Sequence, residues 1–298
     1  SSQKRGGKGK SGMLTKEEDF IQDVFITTNH QSLLCFTNTG RVYNLKVYQI
    51  PESSLRSRGQ HFANLIKLEK DERVVSVLPV VEFKKENYIF SITKKGFVKK
   101  TELMAYASVR SSGIIGLKLD EGDHLVACVL GHAGDEILIA TSLGKAIRFS
   151  EGDVRSMGRA SRGVTGIRFS GESDQVVGIE ILKSDADEAT ILSVCENGYG
   201  KRTPLSEYRK QSRGGKGVYT IKVTQRNGVV VGICQVSKQD HLMVMTSKGK
   251  LTRISVEEVG IIGRMTQGVR LMRVSEGEKV ISIGKVPREA EGEDLSEE

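Results

Sequence analysis

Apolar residues along the chain gather in strand-length runs, broken at regular intervals by polar turns that end in glycine. Five stretches show the pattern: LLCFTNTGRV (33–42), IFSITKKGFV (89–98), ILIATSLGKA (137–146), ILSVCENGYG (191–200) and LMVMTSKGKL (242–251). Each predicts a β-hairpin whose glycine takes the left-handed backbone conformation, where a Cβ would clash. These glycines are Gly40, Gly96, Gly144, Gly198 and Gly249, at intervals of 56, 48, 54 and 51 residues.

A second glycine follows each hairpin glycine by 17 or 19 residues: Gly59, Gly113, Gly163, Gly217 and Gly268. An arginine precedes it by four residues (Arg159, Arg213, Arg264) or three (Arg56, Arg110). Next comes an apolar–basic–apolar triplet (IKL, LKL, IRF, IKV, MRV), then an acidic or polar turn, then a further apolar strand. A unit of about 50 residues with about four short strands is the size of a propeller blade, and a fixed period of this kind marks a repeat architecture. No amphipathic helix of convincing length separates the units, so the fold class expected is all-β. RGGKG at 5–9 and KEEDFIQDV at 16–24 are a sixth copy of the later elements without their hairpin. The chain, which begins without Met, is therefore expected to be cut inside its first blade.

Composition adds bounds. The 298 residues are 38% hydrophobic and 28% charged, as in ordinary globular proteins. No apolar stretch approaches the roughly 18–20 residues of a membrane helix, and no signal-peptide core opens the chain. Cys35, Cys128, Cys195 and Cys234 are scattered in apolar runs, which reads as buried thiols in a reducing cytoplasm. The five histidines show no metal-ligand spacing with them. Net charge is +8, yet the last eleven residues carry six acids and one arginine, leaving residues 1–287 near +13. A basic body implies a polyanionic partner, and the acidic 288–298 tail is expected to be disordered and to compete for the basic surface.

QKRGGKG at 3–9, together with NGYGKRT, KGVYTIKVTQRNG and GRMTQGV, resembles the C-terminal domain of the bacterial DNA gyrase A subunit. The heptad matches that family's diagnostic motif, the GyrA box (QRRGGKG), with Lys4 in place of arginine. The resemblance implies a six-bladed β-pinwheel, propeller-like, with strands exchanged between neighbouring blades. Its blades would span 1–28 (partial), 29–82, 83–132, 133–183, 184–236 and 237–287 as a single domain. It also implies wrapping of duplex DNA, so that the holoenzyme introduces negative supercoils with ATP. The catalytic tyrosine would lie outside this chain, in the rest of the gyrase A polypeptide. ATP and Mg would act elsewhere in an A2B2 assembly with gyrase B, so no cofactor is expected here. The isolated domain would be monomeric, cytoplasmic and associated with the chromosome. The related domain of topoisomerase IV lacks an intact box.

The residues support such a surface on their own. The fourth residue after each hairpin glycine is Asn44, Lys100, Arg148, Arg202 or Arg253, and Lys46 shares a strand face with Asn44. One cation per blade at equivalent points would form a phosphate-neutralising track. Gln3, Lys4, Arg5, Gly6, Gly7, Lys8 and Gly9 are the expected box contacts, with Lys10 beside them. The wider rim expected to face DNA is Arg41, Lys46, Lys99, Lys100, Lys145, Arg148, Arg159, Arg162, Lys201, Arg202, Arg213, Lys216, Lys250, Arg253 and Arg264. The second heptad, QSRGGKG at 211–217, is either another box or a blade loop. GKGKSG at 7–12 lacks the first glycine of a P-loop, since Lys4 stands there. Single-strand readers add aromatic platforms, but aromatic residues are only 5% of this chain. A protein-binding propeller scaffold is the alternative, and it predicts mixed-charge rims with little salt dependence.

Overall fold

The computed structural model describes residues 27, 31–51, 64–182 and 189–286. The heptad at 3–9, Lys10, the partial first unit apart from Thr27, and the acidic tail lie outside the described residues.

Each predicted hairpin forms, and a third strand follows it. In the first sequence unit β1 (Ser32–Thr37) and β2 (Arg41–Lys46) are joined by β3 (Val74–Val80). The second has β4 (Asn87–Thr93), β5 (Phe97–Glu102), the two-residue β6 (Ile114–Ile115) and β7 (Leu125–His132). The third repeats this as β8 (Glu136–Thr141), β9 (Lys145–Ser150), β10 (Val164–Thr165) and β11 (Val176–Leu182). The fourth has β12 (Thr190–Cys195), β13 (Tyr199–Pro204), β14 (Val218–Tyr219) and β15 (Val230–Val236). The fifth has β16 (His241–Thr246), β17 (Leu251–Ser255), β18 (Val269–Arg270) and β19 (Val280–Val286).

The short strand of each unit belongs to the sheet before it. The sheet orders are β3-β1-β2-β6, β7-β4-β5-β10, β11-β8-β9-β14, β15-β12-β13-β18 and β19-β16-β17. All named strand pairs are antiparallel. Strands β3, β7, β11, β15 and β19 lie against one another in chain order, so they form the inner edge and the borrowed strands the outer one. The described residues therefore build five blades of a β-propeller, four with four strands and one with three. The expected strand exchange is present, while a sixth blade would have to include residues outside those described.

Alternation along the hairpin strands creates the cores between blades. Leu34 and Phe36 point toward the second blade, where they meet Ile89, Leu103, Tyr106 and Leu117. Phe90, Ile92 and Val98 point the other way, against Ile137, Ile139 and Phe149 of the third blade. The third and fourth blades meet through Leu138, Ala140, Ile191 and Tyr208, and the fourth and fifth through Leu192, Val194, Leu242 and Val244. Each buried Leu, Ile, Val or Phe among them contributes roughly 1.5–3 kcal/mol by leaving water. All four cysteines are buried and unbridged; burial pushes Cys35, Cys128 and Cys195 up to about 12.

Candidate nucleic-acid interface

The environment of each cation in this fold is set by how each unit overlaps its predecessor. Beyond its short strand pairing, the chain of the following unit also runs beside the second hairpin strand. Isolated parallel bridges join Lys100 to Ser156, Arg148 to Lys210 and Arg202 to Ile261. The overlap covers the positions expected to form the exposed track, which corrects that expectation. Lys100 is 8% exposed, ion-paired with Glu151 and seated over the Tyr88 ring. Arg148 pairs with Glu136 at 2.5 Å and donates to the carbonyls of Leu205 and Tyr208. Arg202 is 6% exposed and donates to the Val259 carbonyl at 2.8 Å. Arg253, in the fifth blade, is half-buried.

Lys99 and Lys201 are also corrected, for both are fully buried. Lys99 Nζ donates to the carbonyls of Gly116, Gly158 and Arg159, and Lys201 Nζ to those of Gly263 and Arg264. Burial pushes each ammonium down to about 8.

The arginine four residues before the second glycine is a latch between units. Arg159 donates to the Ile115 carbonyl at 2.5 Å, Arg213 to that of Thr165 at 3.0 Å and Arg264 to that of Tyr219 at 3.0 Å. Each acceptor is the second residue of a borrowed strand. The 211–217 loop is held in the same way: the Gln211 amide donates to the Arg148 carbonyl, and the Gly214 amide to that of Gly166. Lys216 is its one exposed cation.

The remaining expected cations sit on or near the outer edge. Arg41 is half-buried and donates to Tyr43 Oη and the Ser112 carbonyl, while Lys46 donates to Ser32 Oγ at 2.6 Å. Lys145 lies 3.5 Å from the centroid of the Tyr219 ring. Arg162 sits over Phe97 and pairs with Asp120 at 2.6 Å, and Lys250 is 3.5 Å from Glu278.

An exposed set was missed. Lys67, Lys118, Arg168, Lys222 and Arg273 occupy the middle of the apolar–basic–apolar triplet, one per unit, and all are exposed. The preceding residues Ile66, Leu117, Ile167, Ile221 and Met272 are buried to 4% or less, so the alternating chain turns the cation outward. The setting recurs. The carbonyls of Gly40, Gly96, Gly144 and Gly198, at the hairpin tips, accept amides of the next unit's triplet or the residue before it. The amides of Lys118, Arg168 and Lys222 in turn donate to Ser161, Gly215 and Thr266, each one unit further on. None of the five cations forms an ion pair with a described carboxylate. The signal was present in the sequence as the triplet's period of two.

The family model for the DNA gyrase C-terminal domain, a β-propeller, matches residues 1–28, 31–80, 87–130, 135–183, 190–233 and 240–287. The chain belongs to that family. Among similar gyrase A subunits, that of Escherichia coli K12 is 45% identical over 294 residues, covering 99% of this chain and 33% of its own length. That of Staphylococcus epidermidis is 42% identical over 289 residues, covering 97% and 32%. The chain thus spans about a third of the length of the curated gyrase A subunits it matches. A solved DNA gyrase A C-terminal domain superposes with a TM-score of 0.81 at 24% identity, covering 96% of this chain and 92% of that one, a likeness of fold alone. The C-terminal domain of DNA topoisomerase IV superposes with a TM-score of 0.79 at 28% identity, covering 88% and 80%. This gyrase-family domain has no helix among its described residues long and apolar enough to cross a membrane.

Proposed function

We propose that this domain binds duplex DNA along its outer edge, without strong sequence preference, and holds it bent. Within an A2B2 gyrase the wrap would set the sign of crossing for ATP-driven strand passage, with the chemistry performed outside this chain. One observation carries the reading: an exposed cation without a described carboxylate partner recurs at the same place in successive units. Phosphates recur regularly along a duplex, and a recurring cation is the matching arrangement. Bending 20–30 bp by 40–90° costs on the order of 1–6 kcal/mol, so contacts spread over several blades are needed to hold it.

The sixth unit, begun by residues 1–28 within a single domain ending near 287, would bring the box residues Gln3–Gly9 and Lys10 to the same duplex. The acidic tail would compete with it. The cations facing DNA would be Lys67, Lys118, Arg168, Lys222 and Arg273, joined by Lys216 and the outer-edge Arg41, Lys145, Arg162 and Lys250. Lys99, Lys100, Lys201 and Arg202 act within the fold instead.

Ligation of a nicked plasmid with increasing amounts of the chain tests the wrap. A dose-dependent shift of linking number to one sign, read after deproteinisation, is the expected result. Salt-sensitive binding with no shift means a surface that binds without wrapping, and absence of binding removes the DNA reading.

A further inference from the structure

The outer edge of the fourth blade carries two guanidiniums on one phenol. Tyr199 opens β13 and pairs across the sheet with Arg270 of the borrowed β18. Arg270 Nη2 donates to Tyr199 Oη at 2.7 Å, with its Cζ 5.3 Å from the ring centroid. From the other unit contact comes Arg226, in the turn after the Lys222 triplet, with its Cζ 4.9 Å from the same centroid. That turn is fixed by Asn197 Nδ2, which donates to the carbonyls of Gln225 and Arg226 at 3.2 and 3.3 Å. Both arginines are exposed, and neither pairs with a described carboxylate. Glu196, on the adjoining hairpin turn, is taken by Lys279 at 2.6 Å.

Two like charges are thus gathered on one neutral side chain, and an anion placed between them would be attracted by both. The other outer edges differ. Phe97 meets Arg162, which is already paired with Asp120, and Tyr219 meets the single cation Lys145. Hydrogen bonding by Arg226 and then Arg270, with a smaller part from their charge, holds the Tyr199 pKa below the ordinary value.

We propose that Arg226, Arg270 and the Tyr199 hydroxyl form a binding site for a tetrahedral phosphate oxyanion, filled by a backbone phosphodiester of duplex DNA. Guanidinium forks match phosphate oxygens, and a phenol supplies a further donor once Arg270 turns to the anion. The source of the phosphate rests on the DNA-binding reading above; the anion site itself does not.

Ultraviolet titration of the 298-residue chain, minus that of Tyr199→Phe, follows this one phenol. Inorganic phosphate, against chloride at equal ionic strength, and a short duplex form the two arms. Both are expected to raise the Tyr199 pKa, because the anion offsets the guanidinium charge. Arg226→Gln and Arg270→Gln should each abolish the response and lower the salt slope of duplex binding by about one. A structural pair would leave that slope unchanged, and an unchanged slope with no phosphate response overturns the proposal. A phosphate response in a chain that binds duplex without moving Tyr199 overturns DNA as the source. If the unsubstituted chain fails to bind duplex, the preceding reading falls and the phosphate arm alone decides the anion site.

Discussion

Glu278 shows how a single residue fixes a hairpin. Its carboxylate accepts from Thr246 Oγ1 at 2.5 Å and from the Ser275 amide at 2.9 Å, joining the end of β16 to the polar turn before β19. Glu72 binds Thr37 in the first blade, Asp174 binds Thr141 in the third, and Asn227 secures the turn in the fourth. Burial alone would raise the Glu278 pKa, yet the Thr246 and Ser275 hydrogen bonds and the Lys250 charge bring it from 4.5 down to about 2. A depressed carboxylate stabilises the fold above its unfolded value of about 4.5, and the contribution is lost as pH falls toward 2. Glu278→Gln is expected to cost on the order of 3 kcal/mol at pH 7. The gap between variant and parent should close between pH 4.5 and 2. Urea unfolding at a series of pH values measures this, and a gap independent of pH would refute the assignment. Lys99 and Lys201 share the sign of this linkage in a higher window: their folded values near 8 lie below the ordinary 10.5, so their burial costs most while they are charged, and stability rises as pH climbs from 8 toward 10.5.

At the scale of the element, blades are joined by close backbone approach at the second glycine. Gly217 has φ +68°, and a Cβ there would stand 2.3 Å from the Ala146 carbonyl oxygen in the neighbouring blade. Gly217→Ala is expected to lose at least about 2 kcal/mol, combining left-handed strain with a forced shift at the seam. Gly171→Ala, in open space and without positive φ, should stay within about 0.5 kcal/mol. Thermal unfolding of both tests this, and equal Tm changes would remove the seam argument. Hairpins, turn glycines and apolar faces were legible in the sequence because they depend on neighbours within a few residues. The environment of the fourth-position cations was not. Lys100 and Arg202 have a strand period that reads as exposed, but a chain segment more than fifty residues later covers them. The Lys118, Arg168 and Lys222 triplets could have been read, since each cation follows a buried apolar residue. The basic residues nearest the hairpin glycines carry the same charge and period, so sequence alone does not rank the triplets above them.

For the whole molecule, binding and bending should separate, because they depend differently on how many blades take part. Each exposed cation that neutralises a phosphate contributes about 0.9 to the slope of log affinity against log salt. Lys118→Gln, Arg168→Gln and Lys222→Gln are surface changes expected to leave Tm unaltered and to lower that slope by about one apiece. The wrap should respond less evenly. Elastic energy on the order of 1–6 kcal/mol for 20–30 bp must be met along the whole arc, so one lost contact leaves the duplex anchored on either side. Single variants are therefore expected to keep most of the linking-number shift, and the triple variant to lose it while still retaining weakened duplex. A triple variant with the parent's salt slope would show that DNA follows another path over the blades. A reduced slope with the linking shift intact would place the bend on the remaining outer-edge cations, with the triplets serving only affinity. Loss of both in proportion, from the first substitution onward, would mean that each blade bends its own stretch of DNA and the units do not share the load.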